Sequence, residues 1–173
     1  MRQIRYAVAM SLDAYIAGPK GEYDWIIMDP EIDFGAIWSR YDTLVMGRRT
    51  FELIKRGGGG DEMQGMKVIV VSRTLRQEDY PDVTIIADKL EEKLSRLRSE
   101  PGKDIWLFGG ANLFRCLLDL RLVDTVEITV SPILLSQGIP LLPPGSRSPA
   151  LRLIDLQSFP SSITSVRYAV TDD

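Results

Sequence analysis

The sequence predicts one three-layer α-β-α domain around a mostly parallel sheet, with antiparallel strands at its C-terminal edge. Short apolar segments alternate with longer ones whose apolar residues recur at helical spacing, which is typical of a parallel sheet covered by helices on both faces. The last two apolar segments follow each other without a helix between them, which indicates an antiparallel edge. The chain has 173 residues and no segment with the composition of a linker, so we expect a single domain over residues 1–173.

The predicted strands are short runs rich in Val, Ile, Leu and aromatic residues, most of them bounded by glycine, proline or polar residues. A turn and short extension, Ser11–Gly18, follows the first of them. In chain order the predicted strands are Ile4–Met10, Thr43–Met46, Lys67–Val71, Val83–Ala87, Asp104–Phe108, Thr125–Val130, Leu151–Ser158 and Ser162–Val170.

Helix predictions depend on capping residues and on apolar spacing. Asp29 followed by Pro30 suits an N-cap and first helical position, so we expect a helix from there to about Arg40. Its apolar face is formed by residues at helical spacing, and Asp33 is an acid of its first turn. The members of that face are Phe34, Ile37, Trp38 and Tyr41. Three further helices are predicted over Arg48–Ile54, Lys89–Ser99 and Ala111–Leu120. Pro132–Leu142 is apolar without a regular period, and we expect a long, ordered loop there.

Composition excludes several classes of protein. The chain has no histidine and a net charge of -3, with no basic stripe, which argues against a Ser-His-Asp triad, a histidine-based zinc site and nucleic-acid binding. Its one cysteine, Cys116, leaves no partner for an intramolecular disulfide and suits a buried apolar position. The N-terminus shows no signal peptide, so we expect a cytoplasmic protein without a metal site, whose chemistry comes from a bound cofactor.

Three predicted strand-to-helix junctions combine glycine, arginine and hydroxyl residues. In an open α/β sheet, ligands bind at the carboxyl ends of strands, where helix N-termini present free amides. Glycine permits close approach of a phosphate, and arginine provides bidentate charge for it. No Gly-x-Gly-x-x-Gly or P-loop motif is present. The junctions Gly47–Thr50, Ser72–Thr74 and Gly109–Asn112 together predict a cradle for a phosphate-rich dinucleotide.

These motifs, in this order, resemble the dihydrofolate-reductase-like superfamily, and most closely its branch that contains the reductase domain of the riboflavin-pathway deaminase-reductase. The resemblance covers nearly the whole chain. The segments that carry it are Ala9–Gly18, Asp24–Ile26, Thr43–Glu52, Val70–Arg73, Leu107–Leu113 and Ser131–Leu142.

The resemblance implies NADPH as the cofactor. Ala9 and Ile16 would line the nicotinamide pocket, and Gly47–Thr50 would hold phosphates. Ser72 and Arg73 would flank the 2′-phosphate, with Thr74 beside them. Gly109–Gly110 would carry a cis peptide bond. The remaining cofactor-binding residues implied by the last junction are Phe108, Ala111, Asn112 and Leu113.

The substrate is less closely defined. The resemblance places Asp33 near the pocket carboxylate of dihydrofolate reductases, so it is the candidate catalytic residue, although a helix-terminal role explains it as well. Asp13, Trp25 and Asp29 are candidate substrate contacts, but Asp29 also suits a cap and Trp25 suits the core.

Three activities remain open. The first is a reductase resembling the 5-amino-6-(5-phosphoribosylamino)uracil reductase of riboflavin biosynthesis, which acts on a heterocyclic or ribosylaminopyrimidine substrate. The second is a dihydrofolate reductase acting on dihydrofolate or another pterin. The third is a non-catalytic nucleotide-binding relative.

The branch usually has Asp-Glu where this chain has Asp124-Thr125, and the chain lacks a zinc deaminase domain. Because the loop 132–142 is apolar, and relatives of this branch associate, we also expect a homodimer.

Overall fold

The computed structural model describes residues 1–57, 63 and 65–171, and its regular elements follow the predicted alternation of strands and helices. The strands are β1 (Ile4–Ser11), β2 (Tyr15–Ala17), β3 (Tyr41–Gly47), β4 (Lys67–Val71), β5 (Thr84–Ile86), β6 (Asp104–Gly109), β7 (Thr125–Ser131), β8 (Ile139–Pro140), β9 (Ala150–Ser158) and β10 (Thr164–Thr171). The helices are α1 (Phe34–Ser39), α2 (Arg48–Arg56), α3 (Leu90–Ser99) and α4 (Ala111–Asp119), with a 3-10 turn at Gln77–Asp79.

The central sheet has the strand order β5-β4-β3-β6-β1-β7-β10-β9 within the described residues. From β5 to β7, each strand runs parallel to its neighbours. β10 runs antiparallel to both β7 and β9. This arrangement confirms the predicted parallel sheet with an antiparallel C-terminal edge.

Each face of the sheet carries its own hydrophobic core. Because side chains alternate along a strand, Val45 belongs to one core while its neighbours Leu44 and Met46 belong to the other. The first core is covered by α3 and α4, which contribute Leu94 and Leu117, both fully buried. The second is covered by α1 and α2 and includes buried Phe51 and partly buried Trp38. The fold is therefore the predicted three-layer α-β-α arrangement.

The first helix is shorter than predicted, and a different aspartate caps it. α1 begins at Phe34, and Asp33 Oδ1 accepts a hydrogen bond from the Ala36 amide at 2.8 Å. Asp29 accepts from the amides of Glu31 and Ser161, at 2.8 and 3.1 Å. The prediction of Asp29 as N-cap was wrong because a contact between distant parts of the chain holds this carboxylate in a turn. Tyr41, assigned to the helix face, lies in β3 instead.

The segment 132–142, predicted as an ordered loop, contains a short strand. Ile139–Pro140 forms β8, which pairs antiparallel with β2 in a second, two-stranded sheet. The Asp13 carboxylate fixes the start of this segment by accepting from the amides of Leu135 and Ser136, at 3.0 and 2.7 Å. The prediction missed this strand because its partner lies more than a hundred residues away in sequence.

Cys116 corrects another expectation. It lies on α4, but its side chain is exposed, since the helix turns Leu113, Phe114 and Leu117 toward the core. In the described part of the chain, no helix is long and apolar enough to cross a membrane.

Candidate functional site

One cleft at the carboxyl ends of the parallel strands brings the three predicted junctions together. Its volume is about 2350 Å³, well above the roughly 300–1,000 Å³ that is usual for one small ligand. The cleft is therefore larger than one small ligand requires. The predicted residues that line it are Ala9, Ile16, Gly47, Arg48, Arg49, Thr50, Ser72, Arg73, Phe108, Gly109, Gly110, Ala111, Asn112 and Leu113, together with Asp33.

The first junction presents an uncapped helix N-terminus to the cleft. β3 ends at Gly47, which is the N-cap of α2 and provides no side-chain hydrogen bond. The first amides of α2 thus have no side-chain cap, and the helix dipole makes this end positive. A Cβ built on Gly47 would meet its nearest neighbour, the Gly110 amide nitrogen, at 3.9 Å. Packing within the protein therefore does not require glycine here.

The third junction contains the cis peptide bond that the resemblance implies, between Gly109 and Gly110. Gly109 has φ +138°, a conformation that favours glycine. Gly110 is the N-cap of α4, again without a side-chain cap. A Cβ on Gly110 would lie 3.3 Å from Thr50 Oγ1, so this glycine also packs closely against the first turn of α2.

The second junction is organised by a hydroxyl pair. Ser72 is buried, and its Oγ accepts from the amides of Thr74 and Leu75, at 3.2 and 3.1 Å. Thr74 Oγ1 lies 3.3 Å from Ser72 Oγ and accepts from Arg48 at 3.3 Å. Thr74 does not line the cleft, but it contacts an arginine that does. Arg73 is exposed beside this network.

Of the four predicted substrate-end residues, only Asp33 lines the cleft. It is exposed and engaged as the cap of α1. Asp13 accepts a hydrogen bond from Ser11 as well as from the 132–142 segment, and these bonds hold its pKa below the usual range. Trp25 donates its indole N–H to the Glu22 carbonyl at 3.1 Å, and Asp29 is buried in its turn. The roles of all four toward a substrate stay predictions.

Sequence reasoning missed an aromatic wall of the cleft. Trp38 and Trp106 both line it, with ring centroids 4.7 Å apart, and Phe108 lies 5.1 Å from Trp106. Trp38 was recognised only as part of an apolar helix face, a pattern that does not distinguish core from cleft. Trp106 donates its indole N–H to the Ala7 carbonyl at 3.0 Å, which fixes the ring against β1.

An ion-pair cluster beside this wall was also missed. The carboxylate of Glu127 accepts from Arg40 at 3.1 Å and from Arg5 at 3.5 Å, and Arg5 also contacts Asp104 at 2.7 Å. Arg40 and Glu127 line the cleft although they are 87 positions apart in sequence. Burial, the principal cause, and the nearby Glu127 raise the pKa of Tyr41 to about 12. No local sequence pattern could have predicted the Arg40–Glu127 ion pair.

The β5–α3 connection could have been found from the sequence. Residues 87–92 line the cleft, and they join a parallel strand to a helix as the three recognised junctions do. This connection contains no glycine or arginine, so the pattern that identified the other three junctions did not predict it as part of the site. Among the described residues, no group of three or more Cys, Asp or Glu side chains could hold a metal ion.

Comparison with known proteins agrees with this geometry. Residues 2–165 match the family model described as the RibD C-terminal domain. A crystal structure from Shewanella sp. PV-4, provisionally assigned to riboflavin biosynthesis, has a TM-score of 0.84 and 29% identity, with coverage of 99% of this chain and 100% of that one.

Two more distant structures share the fold. A Thermotoga maritima diaminohydroxyphosphoribosylaminopyrimidine deaminase/5-amino-6-(5-phosphoribosylamino)uracil reductase has a TM-score of 0.71 at 17% identity. The alignment covers 98% of this chain and 57% of the Thermotoga maritima chain. An Enterococcus faecalis dihydrofolate reductase complexed with NADP(H) has a TM-score of 0.70 at 19% identity, with coverage of 98% and 97%. The fold is thus dihydrofolate-reductase-like.

Proposed function

The chain belongs to the RibD C-terminal domain family, and from that premise we propose that it is an NADPH-dependent reductase of a heterocyclic or ribosylaminopyrimidine substrate. The observation that carries this proposal is the meeting of three strand-to-helix junctions in one cleft, beside an aromatic wall. Family membership and the reductase-like neighbours support an oxidoreductase-like enzyme. The cofactor and the substrate are the parts that we propose.

The residues at the junction end fit a dinucleotide phosphate chain. Two helix N-termini there lack side-chain caps, at Gly47 and Gly110, and both are beside glycine backbone that leaves room for an anion. Arg48 and Arg73 add positive charge near the β4 end, where a 2′-phosphate would distinguish NADPH from NADH. When bound, NADPH would supply a hydride, and the chain's own residues would bind and orient the reactants.

The substrate end fits a flat, polar ring. Trp38 and Trp106 offer aromatic surface, while Arg40 and Glu127 offer donors and an acceptor at the same wall. Aromatic side chains with few polar groups are typical of sites for small heterocycles. Reduction of a carbon–nitrogen double bond needs a proton as well as the hydride. Asp33, an exposed residue that lines the cleft, is the carboxyl that we propose for this role. A cytoplasmic location belongs to the same proposal.

The test is NADPH oxidation, followed by absorbance, with a panel of ribosylaminopyrimidines and pterins. Turnover of a ribosylaminopyrimidine supports the proposal, while turnover of dihydrofolate alone would assign the chain to the second activity. NADPH binding without turnover across the panel would favour a non-catalytic role. Failure to bind NADPH or NADH at millimolar concentration would overturn the cofactor assignment itself.

A further inference from the structure

A second pocket lies at the amino ends of the parallel strands β1 and β7, away from the cleft at their carboxyl ends. Its volume is about 650 Å³, which is within the roughly 300–1,000 Å³ that is usual for one small ligand. Among the described residues, only Arg167 lines both this pocket and the cleft. We call the second pocket the arginine pocket, because the charged residues that line it are Arg5, Arg98, Arg121, Arg147, Arg152 and Arg167, with Asp124 as the acid.

Strand register places arginines around a floor of short side chains. Arg5 on β1 pairs with Thr125 on β7, and Ala169 on β10 lies between Thr125 and Arg152 of β9. Paired residues of neighbouring strands point to the same face of a sheet, and Arg167 shares that face because it lies two positions before Ala169. Strands are about 4.8 Å apart, so roughly 14 Å separates the backbones of Arg5 and Arg152. A small ligand therefore fits between their guanidinium groups, over Thr125 and Ala169.

Two buried polar atoms of the arginine pocket have no hydrogen-bond partner among the described residues. They are Oγ1 of Thr125, a residue that is 4% exposed, and Nε of Arg167. Native proteins rarely leave a buried polar atom unpaired unless a ligand or water completes its hydrogen bonds. Arg152 adds an exposed guanidinium group that forms no ion pair within the described part of the chain. All three groups can donate hydrogen bonds, so the pocket suits a ligand rich in acceptors.

Carboxylates outside the pocket hold two of the arginines in place. Arg5 Nε donates to Asp104 at 2.7 Å, and Arg167 Nη2 donates to Asp155 at 3.2 Å. Neither of these acids lines the arginine pocket, so its lining keeps an excess of positive charge although the whole chain has a net charge of -3. A guanidinium group that is already fixed loses less conformational entropy when it binds a ligand.

We propose that the arginine pocket binds the phosphate group of a small molecule, either inorganic phosphate or a phosphate monoester. Phosphate oxygens accept hydrogen bonds and carry negative charge, which matches a lining of guanidinium and hydroxyl donors. Asp124 does not neutralise the pocket, because its carboxylate is paired with Arg98 at 2.7 Å. The proposal is independent of the reductase activity, since the cleft and the arginine pocket have only Arg167 in common among the described residues.

Titration of the full chain with inorganic phosphate, followed by the NMR signals of backbone amides, tests the proposal residue by residue. The signals of Thr125 and Ala169 should shift and saturate, whereas a shift of Gly47 would report phosphate in the cleft instead. Chloride and acetate at the same ionic strength should shift Thr125 and Ala169 much less. Shifts at Gly47 without shifts at Thr125 and Ala169, or equal responses to chloride and phosphate, would overturn the proposal.

Glycerol 3-phosphate distinguishes the two sources of the phosphate group. Tighter binding than that of inorganic phosphate would identify a monoester as the ligand, because the organic part then contacts the rest of the pocket. Equal affinity would identify the phosphate group alone as the ligand.

Two variants test the residues themselves. Arg152→Gln removes one charge at an exposed position, and the phosphate dissociation constant should rise on the order of tenfold or more. Arg96→Gln is the matched control, because Arg96 is exposed on α3 and does not line the arginine pocket, and it should keep wild-type affinity. Thr125→Val should weaken phosphate binding roughly threefold to tenfold without lowering the melting temperature, since the lost hydroxyl has no described partner. Wild-type phosphate affinity in folded Arg152→Gln would overturn the proposal.

Discussion

Arg48 Nη1 donates a hydrogen bond to Thr74 Oγ1 at 3.3 Å, and this bond joins the first junction to the second. Thr74 itself is held by Ser72, so the hydroxyl pair fixes the position of a cleft arginine. Preorganised charge selects a phosphate better than a freely rotating side chain does, because less conformational entropy is lost on binding. If the chain binds NADPH as proposed, Thr74 would be a positioning residue for the choice between NADPH and NADH.

Thr74→Val removes the acceptor while keeping the side-chain shape. One hydrogen bond is worth about 0.5–1.5 kcal/mol, so we expect NADPH affinity to fall roughly threefold to tenfold with NADH affinity unchanged. Titration with both cofactors measures the ratio, and Thr74→Ser should restore it. Equal losses for NADPH and NADH would show a general structural role instead.

Arg73→Gln tests the proposed contact between Arg73 and the 2′-phosphate directly. Loss of a charge-assisted hydrogen bond costs about 1.5–3 kcal/mol, so the NADPH dissociation constant should rise at least about tenfold. Arg76→Gln is the matched control, because Arg76 is exposed outside the cleft and pairs with Glu78. Wild type that binds NADH and NADPH equally well would contradict the predicted preference.

Gly47→Ala separates cofactor binding from folding. The added methyl meets no protein atom closer than 3.9 Å, so the unfolding free energy should fall by about 1 kcal/mol at most. The methyl would stand where a phosphate approaches α2, and we expect about tenfold weaker NADPH binding or worse.

Gly110→Ala should behave differently, because its methyl would also press on Thr50 Oγ1 at 3.3 Å. We expect it to weaken cofactor binding more than folding, but with a larger loss of melting temperature than Gly47→Ala. Calorimetry and NADPH titration on the same samples separate the two effects. Normal NADPH binding by folded Gly47→Ala would remove that glycine from the site.

Asp33 has a capping role that must be separated from any catalytic role. Asparagine caps a helix about as well as aspartate, so Asp33→Asn should keep stability, whereas Asp33→Ala should lose about 1 kcal/mol. If the carboxyl donates the proton, both variants should lose kcat by about a hundredfold or more. Retained kcat in Asp33→Asn would identify Asp33 as a cap only.

Asp29→Asn should destabilise the fold in a pH-dependent way. Hydrogen bonds from Ser161 and from the Glu31 amide hold the pKa of Asp29 below its usual range. A lowered folded-state pKa means that the carboxylate stabilises the fold above the unfolded-state pKa, about 3.9, and that this stabilisation is lost as the pH falls through the folded-state value. Urea unfolding should show the largest gap between variant and wild type near pH 7. A gap of constant size down to about pH 3 would contradict the role of charge.

The central sheet was predictable because its signals are local. Lys67–Val71 forms a strand with the predicted bounds, and Gly47 and Gly110 cap helices where the glycine junctions predict it. The start of the first helix was not predictable, because the Asp29 carboxylate accepts a hydrogen bond from the Ser161 amide, 132 positions away in sequence. The Arg40–Glu127 ion pair could not be predicted from the sequence for the same reason, because only the tertiary structure brings the two residues together.

Residues whose type and position suit two different roles were a second limit on prediction from the sequence. A pattern of apolar spacing identifies Trp38 as inward-facing, yet the same spacing results whether the ring meets a core or a ligand. Asp33 has the residue type of a cap and of a catalytic acid, and its sequence position suits both.

Trp38 and Trp106 give the cleft an intrinsic optical signal. Two of the chain's three tryptophans form its aromatic wall, whereas Trp25 lies outside the lining. Indole emission responds to the polarity around the ring and overlaps the absorption band of a reduced nicotinamide, so a bound cofactor would quench it by energy transfer. Occupancy of the cleft can thus be followed in the unlabelled protein, and Trp25→Phe would remove the background from outside it.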